Sequence, residues 1–234
     1  MKQGFVKVAS ATPRIRVADP VYNAQVICEQ AKEAAEHGAK IVVFPELCIT
    51  GYTCNDLFLQ ELLLEKAKEA LLTIAEETGQ LETLFLVGLP VDKDGRLYNV
   101  AAVLYRGRIL GMIPKKNIPM YAEFYEGRHF TPGEETVTEY RLGKQVIPFG
   151  SNLLFRCEEL PELILGCELC EDLWVAEPPS TSHALMGATV IANLSASNET
   201  VSKDDYRTLL IKASSARLLC GYIYTSAGEG ESTQ

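Results

Sequence analysis

The stretch Lys40-Ile41-Val42-Val43-Phe44-Pro45-Glu46 is a short apolar run closed by a proline and a carboxylate. A run of this length predicts a buried strand, with Glu46 just past its carboxyl end. Ahead of it, Phe5 to Ala11 alternates like a strand, Asp19-Pro20 opens a helix from about Tyr22 to His37, and Gly38 ends it. Strand, helix and strand in this order predict an α/β fold, in which strand carboxyl ends are favoured places for site residues.

Working outward, Leu57 to Glu77 has the apolar stripe and Glu/Lys outer face of one amphipathic helix. Thr83 to Val91 reads as a strand and Asp92 to Gly95 as a turn. Leu97 to Tyr105 and Arg108 to Ile113 read as strands around Arg106-Gly107, a hairpin that delivers Lys115. Pro114 to about Gly150 is rich in aromatic and charged residues and carries the breaker Thr131-Pro132-Gly133, so a long loop is expected. Strands are expected again at Asn152 to Phe155, Leu163 to Leu169, Thr189 to Leu194 and Tyr222 to Ser226, with helices at Ser182 to Gly187 and Asp204 to Leu219. The tail from Ala227 to Gln234 is polar, with no closing element expected.

A chain of 234 residues fits a single α/β domain with a large core. Its net charge of -9 argues against a surface made for nucleic acid or anionic lipid. No apolar stretch has the length of a membrane span and the first residues do not read as a signal peptide, so a cytoplasmic location is expected. Seven cysteines, an odd number spread through apolar segments, fit reduced thiols that mostly fill the core.

One thiol stands apart. Cys170 ends the run Leu163-Ile164-Leu165-Gly166-Cys167-Glu168-Leu169, so Glu46, Lys115 and Cys170 each stand just past an expected strand, with no histidine near any of them in the sequence. A carboxylate can take the thiol proton and return it to a departing amide nitrogen, while an ammonium and a backbone N–H, such as that of Glu171, stabilise the oxyanion. Cys167-Glu168-Leu169-Cys170 also has the CxxC spacing of zinc and redox sites. No second CxxC or histidine pair completes a zinc set, a redox CxxC ordinarily opens a helix, and His37, His129 and His183 are scattered, so no metal site is expected.

Four segments carry a resemblance: Phe44-Pro45-Glu46-Leu47-Cys48-Ile49-Thr50-Gly51-Tyr52, Pro114-Lys115 followed by Tyr121-Ala122-Glu123-Phe124-Tyr125-Glu126, Cys170-Glu171-Asp172-Leu173-Trp174, and Asn193-Leu194-Ser195-Ala196-Ser197. Together with Val17-Ala18-Asp19-Pro20 and Asn23, they resemble the nitrilase superfamily of carbon-nitrogen hydrolases, and within it the glutaminase domains of bacterial glutamine-dependent NAD synthetases. The resemblance implies a four-layer α-β-β-α sandwich, with Glu46 as general base, Lys115 as oxyanion stabiliser and Cys170 as the nucleophile that forms a glutamyl thioester. It also implies that Glu126 stands beside this triad, that Glu171, Tyr121, Phe124 and Ser197 surround a substrate glutamine, and that Tyr52 lines the pocket. Lys203 is a candidate for the substrate carboxylate, although a lysine at a helix start ordinarily faces solvent.

In such enzymes ammonia passes to a C-terminal synthetase domain that amidates deamido-NAD. The resemblance therefore implies that residues 1–234 are the glutaminase domain alone, truncated at its C-terminus, and weakly active or inactive by itself. ATP, deamido-NAD and magnesium are expected only for the synthetase domain, and no cofactor for this one. Glutamine, the synthetase domain and further copies in a homo-oligomer are the implied partners, with neither nucleic acid nor membrane among them. The alternative activity is that of a superfamily amidase for another small amide, nitrile or carbamoyl compound, and a silent scaffold is the reading from a different class.

Overall fold

The computed structural model describes residues 4–231; Met1 to Gln3 and the Ser232 to Gln234 end of the tail lie outside them. The first unit forms as its residues dictate. Strand β1 (Val8–Ser10) leads to helix α1 (Pro20–Glu36), and strand β2 (Ile41–Val43) returns parallel to β1. Asp19 caps α1 by accepting the Tyr22 N–H at 3.1 Å, and Pro20 occupies the first turn, where its missing N–H costs nothing.

The expected helix from Leu57 to Glu77 is two pieces. A 3-10 helix spans Tyr52–Leu59, Gln60 is extended, and α2 runs Glu61–Glu77. Strands β3 (Leu84–Lys93), β4 (Arg96–Tyr105) and β5 (Arg108–Pro114) form an antiparallel meander beside β2. The expected irregular region beyond it contains a hairpin, β6 (Thr138–Leu142) and β7 (Gln145–Phe149), which completes a seven-stranded sheet in the order β1-β2-β3-β4-β5-β7-β6. Its inward residues Tyr140, Leu142, Ile147 and Phe149 join the core under α1 and α2.

The second sheet has four strands in the order β11-β10-β9-β8: β8 (Leu154–Arg156), β9 (Ile164–Leu169), β10 (Val190–Ser195) and β11 (Gly221–Ser226). Helices α3 (Pro179–Leu185) and α4 (Lys203–Leu218) cover its outer face, α3 beginning and ending a little earlier than the sequence suggested. Between the sheets, Ile41, Val43, Leu86 and Val103 meet Leu165, Cys167, Leu169 and Leu194. Helices on sheet, sheet on sheet and sheet on helices give the α-β-β-α sandwich, and period-two alternation in β9 sends Cys167 into the middle layer and Glu168 outward.

The parallel strands β9, β10 and β11 end together, as do β2 and β5 in the larger sheet, so Glu46, Lys115 and Cys170 leave their strands at one edge of the sandwich. The tail does not trail away. Ala227 donates to the Ser195 carbonyl at 2.9 Å, and the Glu229 carbonyl accepts the Ile15 N–H at 3.3 Å.

Candidate active site

Lys115 is fully buried, yet it stays charged because two carboxylates hold it. Its Nζ donates to Glu46 Oε1 at 2.7 Å and to Glu126 Oε1 at 2.6 Å. Burial alone would lower its pKa, but Glu126 and Glu46 outweigh that and raise it well above the usual lysine value. Glu46 also accepts Asn99 Nδ2 at 2.7 Å and the Ala196 N–H at 3.0 Å. Burial pushes its carboxyl up to about 7, against the pull of Lys115. Glu126 takes a further bond from the Tyr52 hydroxyl at 2.7 Å.

Local backbone explains how Glu46 reaches this place. Its turn, Pro45 to Leu47, presses onto β3 at Gly88, where a Cβ would lie 2.2 Å from the Leu47 nitrogen. Only glycine admits that approach. Lys115 leaves β5 with its own N–H on the Asn99 carbonyl at 2.8 Å.

Cys170 lies just past β9, not within it, at the start of the short 3-10 turn Cys170–Leu173, with φ of 41°. A non-glycine residue in the left-handed region is held there by its surroundings, and such strain is common where a side chain must be presented to a reaction. Its thiol is buried and lies within the fields of Glu46, Lys115 and Glu126. Burial and the two carboxylates push it up to about 12, while Lys115 and the Ala196 N–H pull the other way. The resting group is a thiol beside a base. Cys167, its CxxC partner in sequence, fills the core between the sheets.

A cavity of about 610 Å³ opens above this cluster and touches it through Tyr52, Glu126 and Ala196. Phe124 lines it, with its ring edge-on to Tyr52 at 6.5 Å and Tyr121 at 5.6 Å. The Tyr121 hydroxyl donates to Glu171 Oε2 at 2.8 Å. Ser197 also lines the cavity, its N–H on Ser226 Oγ at 3.2 Å.

Lys203 is half-buried at its helix start. It opens α4, but its Nζ lies 5.5 Å from the Phe124 ring centre and 5.2 Å from that of Trp174, and it donates to Asn198 Oδ1. His129 also lines the cavity, paired with Asp56 at 3.0 Å, although no histidine adjoins the three strand ends in the sequence. Asn99 and the Ala196 N–H escaped sequence reasoning. A single amide at the head of the apolar run Val100-Ala101-Ala102-Val103-Leu104 was the available signal for Asn99. A backbone N–H carries no signal at all.

The profile of the family described as carbon-nitrogen hydrolase matches residues 7–226. The chain is 43% identical over 232 residues to a glutamine-dependent NAD(+) synthetase of Mycobacterium tuberculosis, covering 99% of this chain and 34% of that protein. It is 33% identical over 234 residues to the enzyme of that name from Thermotoga maritima, covering 99% and 37%. The chain thus spans about a third of the length of these curated relatives. Among solved structures, a glutamine-dependent NAD(+) synthetase from Cytophaga hutchinsonii superposes with a TM-score of 0.84 at 28% identity, covering 96% of this chain and 36% of that one. An amidase from Nesterenkonia sp. shares the fold, with a TM-score of 0.72 at 20% identity over 98% of this chain and 80% of its own.

Proposed function

This chain belongs to the carbon-nitrogen hydrolase family, and from that premise we propose that it hydrolyses the side-chain amide of glutamine through a cysteine thioester. The observation that carries the reading is the buried Lys115 held between Glu46 and Glu126, with the Cys170 thiol in the field of all three. Glu46 takes the Sγ proton as sulfur attacks the amide carbon, and the carbonyl oxygen gains the negative charge. Lys115 and the Glu171 backbone N–H stabilise that oxyanion. As the intermediate collapses, Glu46 returns the proton to nitrogen, and ammonia leaves the acyl-thioester behind. A water gives its proton to Glu46 and attacks the thioester, the carbon–sulfur bond breaks, and Cys170 recovers its proton as glutamate departs.

The glutamine reading draws on the named activity of the mycobacterial and Thermotoga relatives and on polar side chains within the cavity lining, Glu126 and Ser197 among them. Glu171, oriented by Tyr121, suits an α-ammonium, and Lys203 and Ser197 suit an α-carboxylate. In a longer protein of the relatives' kind, the ammonia would serve ATP-dependent amidation of deamido-NAD, with ATP and magnesium belonging to that second domain.

Ammonia release from a panel of glutamine, asparagine, propionamide and a carbamoyl amino acid tests the substrate. Glutamine should be preferred by at least about tenfold, the discrimination that a few buried polar contacts supply, and C170A should release none. Equal turnover of propionamide would move the function to a small-amide hydrolase. If C170A matched the unaltered protein, the nucleophile assignment would fall.

A further inference from the structure

Asp172 lies two residues past the thiol and is 1% exposed, yet the chemistry above does not use it. Its two oxygens together bridge two different segments. Oδ2 accepts the Leu169 N–H at 3.0 Å, from the residue that precedes the nucleophile, and lies 3.5 Å from the Lys116 nitrogen. Oδ1 accepts both the Asn117 N–H and Asn117 Nδ2, each at 2.8 Å. Among the described residues, these are the hydrogen bonds that tie segment 115–117 to segment 169–173. The first segment leaves the large sheet and carries Lys115; the second leaves the small sheet and carries Cys170.

We propose that Asp172 is a positioning residue that fixes the distance between the Lys115 ammonium and the Cys170 thiol by clamping the two strand ends together. This rests on the reading that Lys115 and Cys170 are reacting groups. A carboxylate is the side chain suited to the place, because all its partners are N–H donors and it has acceptors on both oxygens. Its backbone bond to Leu169 also holds Cys170 at a positive φ, a conformation the turn alone does not favour. An error on the order of 1 Å between reacting groups costs roughly a hundredfold in rate. Binding is spared, because the cavity walls formed by Phe124 and Ser197 do not rest on Asp172.

D172N keeps the shape but replaces one oxygen with an NH2. Whichever way the amide turns, a donor faces either the Leu169 N–H or the two Asn117 donors. Glutamine hydrolysis by this variant should lose on the order of a hundredfold in kcat, with KM within about twofold. Alkylation of Cys170 by chloroacetamide should slow in parallel, a readout independent of turnover. N117A removes one donor from a partly exposed position and leaves both backbone bonds. It should fold normally and lose roughly tenfold in kcat at unchanged KM, so it decides the matter if D172N does not fold. Folded D172N with kcat and Cys170 alkylation within twofold of the unaltered protein would overturn the proposal, as would an unaltered kcat in N117A when D172N is unfolded. C170A in the same assay separates the two levels: turnover surviving that substitution would defeat the catalytic reading itself.

Discussion

At Glu46, burial raises the pKa to about 7, while Lys115 and the Asn99 amide draw it down and Glu126 pushes it up. A carboxylate so placed can accept a proton at neutral pH and give it back, where an ordinary glutamate would be too weak a base for a buried thiol. In the proposed mechanism attack requires the ionised form, so kcat/KM for glutamine should rise with pH through about 7. The apparent value belongs to the cluster of Glu46, Lys115 and Glu126 as a unit. Asn99 Nδ2 donates to Glu46 Oε1 and favours the charged form, so N99A should move the acid limb to higher pH. A limb left in place by N99A would mean that another group titrates there. The lone amide at position 99 marks a polar spot in an apolar strand but not this role, which arises because the start of β4 lies beside the end of β5.

At the scale of elements, apolar runs announced most strands and the three long helices, because a buried strand or an amphipathic helix has to write its burial into its residues. The β6–β7 hairpin was harder to read. Its alternation is short, Pro148 stands within β7, and its pairing with β5 is confined to Met112 and Phe149, which is how the strand tolerates the proline. The break at Gln60 was hidden by apolar Leu57 and Leu59, which the structure leaves exposed while Phe58 turns onto Phe130 at 4.9 Å. Gly88 shows what an element contributes to the site. G88A would drive a methyl into the backbone of the Glu46 turn, costing about 1–3 kcal/mol of stability and most of the turnover. V87A, whose side chain faces the helices, should lower the melting temperature and leave kcat within about twofold. Equal loss of turnover in the two variants would show that Gly88 acts through stability alone.

Across the whole molecule, the site exists only where two sheets meet. Each strand end was readable from its own run, but their convergence depends on the packing of Val43, Leu86 and Val103 against Leu165, Leu169 and Leu194, which no local spacing reports. The tail adds a further tie that its polar composition concealed. Glu231 accepts the Tyr52 N–H at 2.6 Å, the Thr53 N–H at 3.3 Å and Thr53 Oγ1 at 3.1 Å, so the segment after β11 holds the loop after β2. Tyr52 in turn bonds Glu126, and through it Lys115. Removing the acceptor in E231A should therefore free two N–H groups at the start of the 3-10 helix, at about 1–3 kcal/mol of local stability. Amide hydrogen exchange at Tyr52 and Thr53 should accelerate accordingly, with exchange in β3 and β4 unchanged. If both amides keep their protection, the loop is held by its own packing on Phe124 and Glu126, and the tail contributes only a lid over one wall of the cavity.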